Sequence, residues 1–417
     1  MKSSLLTQQL SLLNPWWIRP NFRYRVILRQ RYLKQVNLKQ KPIILFHGAR
    51  RVGKTYLMYA LINQLLNQKV NPKYITFLTA DAPLFSKLSL YQVLGGILTQ
   101  RHFHQYIFID EVQDIADWQK TLKFYYDNFP NVRFVVSGSS SLTLAKETYK
   151  LTGRFVNLKI RTLNLSEYLD FKQIKVPKSK KHRTQIVQDY LQVGGYPEVV
   201  LNQDATLLFN IIESTLYRDL LQHYGIRNVA QLAKIVDFLV EKVGNLVSLR
   251  RIAQQVGVSH ESVRFYLDYL QDVLLIEKLT KFAPSARLTN QALSKYYLHD
   301  VGVVYHKSVN PKLGALVENA VYLCLKNHQF DVNYGSFNNQ EIDFVISRQP
   351  RKIVSLVEVK YRQVITESEI LKYLSLNQPI TFIVRPDTQL GDWIAGYPEF
   401  KFVSLWDLLI NQAEMVL

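Results

Sequence analysis

The sequence has a single cysteine, no long apolar run and no acidic residue near its start. Because Cys324 is the only cysteine among 417 residues, an internal disulfide is excluded and a reducing compartment is favoured. No uninterrupted apolar stretch approaches the ~20 residues of a membrane-spanning helix. The apolar N-terminus is broken by Gln8 and Gln9, which is atypical of a signal peptide. We therefore expect a cytoplasmic protein without a membrane partner.

Acidic residues are absent from the first 80 positions, and the first one is Asp81. The whole chain carries 52 lysines and arginines against 33 acidic residues, a formal net charge of +19, and fourteen of the basic residues precede position 81. This surplus predicts an anionic partner, nucleic acid first, with DNA favoured over RNA. The alternative is a solvated basic face that serves solubility. A protein partner or a homo-oligomer also remains open.

A phosphate-binding pattern lies close to the start of the chain. Gly48–Thr55 reads GARRVGKT, which fits G-x-x-x-x-G-K-[ST]. The apolar run Pro42–Phe46 precedes it, and apolar residues recur at helical spacing over Tyr56–Leu66 behind it. This order of strand, loop and helix is the one that a P-loop requires. A glycine turn that matches the pattern by chance is the alternative.

The residue types in this loop are those that bind a nucleoside triphosphate. Gly48 and Gly53 let successive backbone N–H groups and the next helix's N-terminus point at an anion. Lys54 would reach the β- and γ-phosphates, and the Thr55 hydroxyl would hold Mg²⁺. We assign nucleotide binding to the loop and the residue after it: Gly48, Ala49, Arg50, Arg51, Val52, Gly53, Lys54, Thr55 and Tyr56.

A second motif supports the first. The apolar stretch Tyr106–Ile109 ends in Asp110 and Glu111, with Asp110 lying 56 residues after Lys54. A carboxylate at the end of a neighbouring strand can hold Mg²⁺ through water, and the next glutamate can polarise the attacking water. We therefore predict a P-loop NTPase in which Lys54, Asp110 and Glu111 take part in catalysis, with Thr55 and Asp110 at the metal.

Apolar stretches alternate with helical patterns from about residue 41 to 160, which predicts a parallel α/β sheet. Ser137 and Ser139, after the fourth stretch, are candidates to sense the γ-phosphate, although an ordinary Ser/Gly turn is the alternative. Arg154 is a candidate arginine finger or sensor, with a surface salt bridge as its alternative. The predicted strands are Ile43–Phe46, Tyr74–Leu78, Tyr106–Ile109, Arg133–Val136 and Arg154–Lys159.

Residues 13–40 place aromatic side chains among cations. The aromatic residues are Trp16, Trp17, Phe22, Tyr24 and Tyr32, and the cations are Arg19, Arg23, Arg25, Arg29, Arg31 and Lys34. Such a mixture can stack on bases and bind phosphates. Paired tryptophans more commonly dock an arm onto the next domain. We favour docking, with the arginines facing outward.

The motifs GARRVGKT, IDEVQDIADWQKTLK, SGSSS, LTGRF and GGYPEVV resemble one group of prokaryotic ATPases of the AAA superfamily. In that group the ATPase domain is followed by a winged helix and by a C-terminal domain of the restriction-endonuclease-like PD-(D/E)XK fold. The resemblance covers most of the chain, from about Asn14 onward. It implies a five-stranded ATPase core with ATP as the nucleotide.

The stretch Leu249–Phe282 has the pattern of a helix-turn-helix followed by a wing. The amphipathic segment LRRIAQQ precedes a turn at Gly257, and Ser259 can cap the second helix, HESVRFYLDYLQDV. The segment LLIEKLTKF would supply the wing. Glu261 and Asp268 weaken the second helix as a DNA-reading surface, so DNA contact and a packing role both remain open.

The C-terminal region predicts a β-hairpin that carries charged residues. Glu341–Ser347 and Ile353–Lys360 read as its two strands. Glu358 and Lys360 are two residues apart and therefore share one face of their strand. If Asp343 pairs near Glu358, two carboxylates and one ammonium converge at the strand end.

This convergence suits metal-assisted phosphodiester hydrolysis, which needs oxygen ligands for Mg²⁺ and a cation near the scissile phosphate. Glu318, Asp343, Glu358 and Lys360 match the PD-(D/E)XK pattern, although no proline precedes Asp343. We predict the three carboxylates as metal ligands and Lys360 as catalytic. The alternatives are a solvated ion pair or a nuclease fold that has lost its activity.

The expected fold class is α/β, with a P-loop NTPase parallel sheet followed by a helical/winged-helix domain and an α/β restriction-endonuclease-like domain. The expected divisions are a basic N-terminal arm (1–40), an AAA-type P-loop core (41–169), a linker and helical segment (170–230), a winged helix (231–285) and a nuclease-like domain (286–417). Within the third, residues 170–185 are the plainest linker candidate, because Phe171 to Arg183 includes six cations, no acid and one proline. The expected function is ATP hydrolysis with Mg²⁺, acting on nucleic acid, with a metal-dependent nuclease-like domain. The alternative is an ATP-controlled DNA- or protein-binding switch whose nuclease fold is inactive.

Overall fold

The structure is a computed structural model that describes residues 2–98, 103–139, 151, 153–219, 228–283, 293–326, 331–338, 340–348 and 352–411. It divides into two compact units. The first comprises Met1–Arg161 with Asp272–Leu274, and the second comprises Thr162–Gln271 with Leu275–Leu417. In the described ranges, no helix has the length and apolar character needed to cross a membrane.

The first unit is built on a five-stranded sheet in which every pairing is parallel. Its strands are β1 (Ile43–His47), β2 (Ile75–Thr79), β3 (Gln105–Asp110), β4 (Val132–Gly138) and β5 (Phe155–Lys159), in the order β2-β3-β4-β1-β5. Its helices are α1 (Lys2–Leu13), α2 (Gln30–Leu33), α3 (Lys54–Asn67), α4 (Leu90–Ile97) and α5 (Trp118–Asn128), with 3₁₀ turns at Pro15–Trp17, Pro72–Tyr74, Pro83–Ser86 and Val112–Asp114. The predicted parallel sheet is confirmed.

The arrangement of this sheet brings the sequence motifs together. Strand β1 is buried on both faces from Ile43 to Phe46, as expected of a central parallel strand. Because all five strands run the same way, the loop after β1 and the ends of β3 and β4 meet at one edge. Strand β4 lies between β1 and β3, so the strand that ends at Asp110 is one strand removed from β1.

The N-terminal arm docks on β2, an edge strand of this sheet. The Asn14 side chain donates to the Phe77 carbonyl at 3.1 Å and accepts from the Phe77 N–H at 2.6 Å. The indole N–H groups of Trp16 and Trp17 both donate to the Ile75 carbonyl, at 2.9 and 2.8 Å. The arm thereby satisfies backbone groups that an edge strand leaves unpaired, and the predicted docking is confirmed.

The second unit contains eleven α-helices within its described ranges: α6 (Leu165–Lys172), α7 (Lys180–Val193), α8 (Pro197–Asn202), α9 (Thr206–Ser214), α10 (Val229–Glu241), α11 (Leu249–Val256), α12 (His260–Asp272), α13 (Val301–Lys307), α14 (Leu313–Leu325), α15 (Glu367–Leu371) and α16 (Leu405–Asn411). A π-helical turn covers Thr215–Asp219, and 3₁₀ turns cover Leu374–Leu376 and Asp392–Gly396.

The strands of the second unit form one five-stranded sheet and two small pairs. They are β6 (Ile276–Leu279), β7 (Lys295–Leu298), β8 (Asp331–Phe337), β9 (Gln340–Arg348), β10 (Lys352–Val359), β11 (Val364–Ile365), β12 (Ile380–Val384), β13 (Gln389–Leu390) and β14 (Phe400–Ser404). The sheet order is β14-β12-β10-β9-β8, with β8, β9 and β10 antiparallel and β10, β12 and β14 parallel. The predicted hairpin, now β9 and β10, is confirmed.

The cationic stretch predicted as a linker, residues 170–185, is mostly helical. Helix α6 continues to Lys172 and α7 begins at Lys180, so only residues 173–179 connect them. Helix α7 buries Val187, Tyr190 and Leu191 on one side. The linker prediction is therefore wrong for most of this stretch, because its lysines and arginines favour a helix whose solvated face they form.

Helices α11 and α12 are joined by a turn with Gly257 in the left-handed conformation at φ 77°. The Ser262 N–H donates to Ser259 Oγ at 3.1 Å, so Ser259 caps α12 as predicted. Val263 is fully buried beneath this turn, and β6 then pairs antiparallel with β7. The two helices and their turn are confirmed, whereas the winged-helix assignment stays a prediction.

The cluster Gly194–Pro197, which had no explanation from sequence, surrounds a buried carboxylate. Asp300 Oδ2 accepts from the Gly195 N–H at 2.7 Å, and Oδ1 accepts from the Gly302 N–H at 2.9 Å. A Cβ on Gly194 would lie 2.0 Å from Asp300 Oδ1. Glycine at Gly194 is therefore needed for the close approach of Asp300, whereas a Cβ on Gly195 would lie 2.3 Å from the Leu163 carbonyl oxygen.

Replacing Trp16 with alanine should lower the free energy of unfolding of the first unit by about 3–5 kcal/mol, because the whole side chain is buried and its N–H is bonded. Urea denaturation measures the loss. Ile18→Ala is the matched control, since Ile18 is 69% exposed; it should change stability by less than about 0.5 kcal/mol. Equal losses in both variants would contradict anchoring through Trp16.

Candidate functional site

The loop Gly48–Thr55 follows β1 and leads directly into α3. Gly53 has φ 95° and Arg51 has φ 60°, so the backbone turns twice through the left-handed region. A Cβ on Gly48 would lie 2.2 Å from the Ile160 carbonyl oxygen, because the loop passes against the end of β5. Glycine is thus required at Gly53 by conformation and at Gly48 by close packing.

The Lys54 ammonium lies inside this loop and is only 4% exposed. It donates to the carbonyls of Gly48 at 2.9 Å and Ala49 at 3.0 Å, and it lies 3.9 Å from Glu111 Oε1. A buried cation held mainly by carbonyl oxygens can exchange these bonds for phosphate oxygens. The Lys54 ammonium is therefore placed to bind an anion within the loop.

Two polar side chains from different elements donate hydrogen bonds to Asp110. The Thr55 hydroxyl, in the first turn of α3, donates to Asp110 Oδ2 at 2.6 Å. The Ser137 hydroxyl, near the end of β4, makes a short hydrogen bond to Asp110 Oδ1. Asp110 and Ser137 are both buried. These hydrogen bonds join the start of α3 to the ends of β3 and β4.

Glu111 follows Asp110 with φ 51°, a strained conformation for a residue with a side chain. Its N–H donates to Ser137 Oγ at 3.2 Å. Gln113 donates to Glu111 Oε2 at 2.8 Å and to Ser139 Oγ at 3.3 Å. The structure thus brings Ser137 into direct contact with Asp110 and Glu111, and Gln113, which the sequence did not single out, links Ser139 to Glu111.

The two neighbouring carboxyl groups differ in acidity. Burial raises the pKa of Asp110 above its ordinary value, although hydrogen bonds from Ser137 and Thr55 offset part of the rise. Burial also acts to raise the pKa of Glu111, but the charge of Lys54 and the bond from Gln113 outweigh it, so that pKa is lowered. Glu111 is consequently ionised at neutral pH and can accept a hydrogen bond from water.

Two residues of the N-terminal arm hold the loop from behind. The Arg29 guanidinium, 3% exposed, donates to the Val52 carbonyl in the loop at 2.8 Å and to the Arg161 carbonyl at 2.9 Å. The Tyr32 hydroxyl accepts from the Arg161 N–H at 2.9 Å. Arg19, Arg23 and Arg25 do face solvent. The outward orientation expected of all the arginines is therefore wrong for Arg29, because buried carbonyls need its donors.

These residues fit a magnesium nucleotide. Thr55 and Asp110 supply adjacent oxygen atoms of the kind Mg²⁺ prefers, and a P-loop site takes its remaining ligands from phosphate and water. Lys54 and the N-terminus of α3 supply positive potential for the phosphates. The donor set fits the phosphates of a nucleotide together with Mg²⁺.

Residues 40–169 match the family model described as an AAA domain. The match includes the loop, Asp110, Glu111 and both serines. This region is an AAA-type P-loop domain. Residues 184–312 match a domain of unknown function, DUF8612, which includes α10 to α12.

Relatives resemble the chain over much of its length. An uncharacterized protein of Methanocaldococcus jannaschii is 28% identical over 341 residues, covering 77% of this chain and 76% of that one. An uncharacterized protein of Haemophilus influenzae is 26% identical over 339 residues, covering 77% and 84%.

Two solved structures are similar at low TM-scores. AMPPCP-bound DnaA from Aquifex aeolicus matches with a TM-score of 0.32 and 17% identity, covering 62% of this chain and 92% of that one. The S. cerevisiae Hsp104:casein complex also has a TM-score of 0.32, with 12% identity, covering 62% and 52%. Likenesses this weak carry no argument about function.

Arg154 lies at the wrong end of the AAA-type domain to reach the loop of its own chain. It immediately precedes Phe155, which pairs with Ile43 at the start of β1, whereas the loop follows the end of that strand. The length of β1 separates them, roughly 13 Å at ~3.3 Å per residue. Arg154 instead pairs with Asp127 at 3.0 Å. The predicted salt bridge is confirmed, and a catalytic role within the same chain is not supported.

In the second unit, the predicted hairpin brings Asp343 beside Glu358. The Asp343 N–H donates to Glu358 Oε2 at 3.3 Å, and Asp343 Oδ2 accepts from the Val359 N–H at 2.9 Å. Lys360 and the Tyr373 hydroxyl both donate to Glu358 Oε1 at 2.7 Å. The convergence expected from the strand spacing is therefore present, with Tyr373 as an additional member.

The remaining predicted ligand, Glu318, is occupied by a lysine and a tyrosine. Lys295 and Tyr297 donate to Glu318 Oε1 at 3.0 and 2.7 Å. Burial and the charge of Asp343 raise the pKa of Glu318 to about 7. The sequence pattern had not singled out Lys295 or Tyr297, since both lie in the short apolar strand β7.

The predicted metal role of Glu318, Asp343 and Glu358 does not fit the arrangement described here. Among the residues described, no three Asp, Glu, His or Cys side chains are placed to hold a metal ion together. Lys295 lies 3.0 Å from Glu318 and 3.5 Å from Asp343, so an ammonium stands between these carboxylates. We therefore derive no reaction step through a metal at this cluster.

Gly48→Ala should destabilise the first unit by about 1–3 kcal/mol, because the new Cβ would collide with the Ile160 carbonyl. Thermal denaturation without nucleotide measures the change. Gly314→Ala is the matched control, since no atom lies within 4 Å of its added Cβ; it should be neutral or stabilising by up to about 1 kcal/mol. Unchanged stability in Gly48→Ala would contradict the packing of the loop on β5.

Proposed function

We propose that the chain binds and hydrolyses ATP with Mg²⁺ in its AAA-type domain and uses this cycle to control binding to nucleic acid. The observation that supports hydrolysis most directly is the Thr55–Asp110 hydrogen bond of 2.6 Å beside the Lys54–Glu111 pair. These four side chains place a hydroxyl, two carboxylates and a cation at the edge where the P-loop begins. Phosphoryl transfer needs this set.

Each side chain has a separate part in the proposal. Mg²⁺ bound with ATP would neutralise charge that develops on the phosphates. Thr55 and Asp110 would hold that ion, while Lys54 would bind phosphate oxygens and lower their repulsion. Glu111 is ionised and accepts a hydrogen bond from the attacking water. Ser137 holds Asp110, and Gln113 holds Glu111, so both carboxylates keep one orientation.

Lys54→Ala should abolish ATP binding, because the phosphates lose their cation within the loop. Glu111→Gln should keep ATP binding but slow turnover by ~100-fold or more, because an amide is a far weaker base than a carboxylate. Phosphate release and fluorescent-nucleotide titration measure the two effects in the full chain.

The matched control for these variants is Lys87→Ala, a cation exposed on the same domain. It should bind and hydrolyse ATP like the unsubstituted protein. Turnover that is unchanged in both Lys54→Ala and Glu111→Gln would refute the ATPase proposal.

For nucleic acid we propose the helix-turn-helix of the second unit, within a winged helix over residues 231–285. Arg250 and Arg251 on α11 and Arg264 on α12 are exposed, and Phe265 beside Arg264 is 47% exposed. Tyr266, also on α12, is buried, and its hydroxyl donates to Gln231 Oε1 at 3.3 Å. The exposed arginines, within a chain of net charge +19, support contact with a phosphate backbone.

Arg264→Ala, and separately Arg250→Ala, should weaken binding to duplex DNA and reduce the slope of log affinity against log salt by about 1 each, because each removes one phosphate contact. Fluorescence anisotropy across a salt series, with and without ATP, measures both. Lys401→Ala, an exposed cation on β14, should leave the slope unchanged. Equal slopes in all three variants would assign this element to packing or to a protein partner.

For residues 286–417 we propose a nuclease-like fold that does not cleave by itself. Asp343, Glu358 and Lys360 support the fold assignment because they gather at the ends of β9 and β10. Lys295 favours the inactive alternative because it already forms ion pairs with two of the predicted ligands, Glu318 and Asp343. The chain is then an ATP-controlled switch.

A further inference from the structure

Lys295 is a buried cation surrounded by carboxylates. Its side chain is 1% exposed, and its Nζ lies 2.8 Å from Glu341 Oε1, 3.0 Å from Glu318 Oε1 and 3.5 Å from Asp343 Oδ1. The acids come from α14 and β9, whereas the lysine comes from β7. We call these four residues the Lys295 cluster. A lysine this deeply buried requires such partners, because an unpaired ammonium loses its hydration energy.

The ammonium is charged and well oriented. Burial acts to lower the pKa of Lys295, but the charges of Glu318 and Asp343 outweigh it and hold that pKa above its ordinary value. Tyr297, two residues along β7, lies on the same face of the strand and donates to Glu318 Oε1 at 2.7 Å. All four residues of β7 are buried, so this short strand holds Lys295 in place.

The distances in the Lys295 cluster are those of an ammonium and exceed those of a metal. The three N–O separations range from 2.8 to 3.5 Å, whereas Mg²⁺ binds oxygen at ~2.0–2.1 Å. Oxygens spaced around a nitrogen atom are too far apart to share one magnesium ion. A divalent ion could enter only if the ammonium left and the carboxylates moved inward.

The second lysine of the region differs from Lys295. Lys360 is 20% exposed and pairs with Glu358 at 2.7 Å. Lys360 is the lysine that the sequence pattern placed in the site. Lys295 is additional, and its ion pairs are with Glu318, Glu341 and Asp343.

We propose that Lys295 is a tethered counter-ion that excludes divalent cations from Glu318 and Asp343, and that removing its charge converts the cluster into a divalent-metal site. The ammonium contributes one positive charge among three carboxylates. Without it, those carboxylates repel one another in a buried place, and a divalent cation would relieve the repulsion. The proposal concerns the second unit alone and holds whether or not the first unit turns over ATP.

The test compares Lys295→Met with the unsubstituted full chain, both free of nucleotide. Mn²⁺ is the probe, because its bound and free forms are distinguished by electron paramagnetic resonance. We expect Lys295→Met to bind one more Mn²⁺ per chain than the unsubstituted protein. Its melting temperature should fall in EDTA and rise again with Mn²⁺.

Lys360→Met is the matched control, since it removes the other lysine of the region; it should not acquire the additional Mn²⁺. Adding Asp343→Asn to Lys295→Met should abolish the new site. Because both comparisons keep the P-loop intact, any weak Mn²⁺ binding there cancels.

Three results would overturn the proposal. One is an unsubstituted protein that already binds Mn²⁺ at a site abolished by Asp343→Asn. Another is a folded Lys295→Met that gains no Mn²⁺. The third covers misfolding: if Lys295→Met fails to fold, Lys295→Gln replaces it, and a Lys295→Gln that Mn²⁺ cannot restore would show that a metal does not substitute for the ammonium.

Discussion

The hydrogen-bonded carboxylate of Asp110 is the interaction on which the geometry of the AAA-type domain depends. It accepts from Thr55 at the start of α3 and from Ser137 at the end of β4. Strand β4 lies between β1 and β3 in the sheet. These two bonds therefore connect the P-loop, which follows β1, to the ends of β3 and β4. Ser137 also accepts from the Glu111 N–H, so the strained backbone at Glu111 is held by the same chain. A substitution at any one of these groups would alter the hydrogen bonds of the others.

The two units use a buried lysine in opposite ways. Lys54 bonds two backbone carbonyls and lies 3.9 Å from the nearest carboxylate oxygen, so its charge is only partly neutralised and remains available to a phosphate. Lys295 meets three carboxylates within 3.5 Å, so its charge is already neutralised. Both side chains are lysines, and each carries one positive charge. What differs is the number of acidic oxygens that the fold brings to each ammonium.

The positive surplus of the sequence does not by itself locate a binding surface. In the N-terminal arm, Trp16 and Asn14 dock the chain on β2, and Arg29 is buried against the P-loop. The cationic residues at 175–183 extend into the first turn of α7, and the other face of that helix packs inward. A cation such as Arg29 that already satisfies buried carbonyls cannot bind a phosphate backbone, so the number of cations in a stretch does not identify the binding surface.

The sequence by itself determined the elements and motifs that depend on neighbouring residues. The P-loop, the strand ending at Asp110 and the hairpin of Glu358 follow from apolar periodicity and glycine spacing over ten residues or so, and the structure retains each of them. Which distant side chains meet is decided by strand order and packing, which no local pattern encodes. Local sequence therefore left open whether Arg154 reaches the phosphates or forms a salt bridge, and the fold places it at the opposite end of β1 from the P-loop, paired with Asp127. Lys295 was overlooked, because only the fold places it, 23 residues from Glu318 in sequence, within hydrogen-bonding distance of that carboxylate.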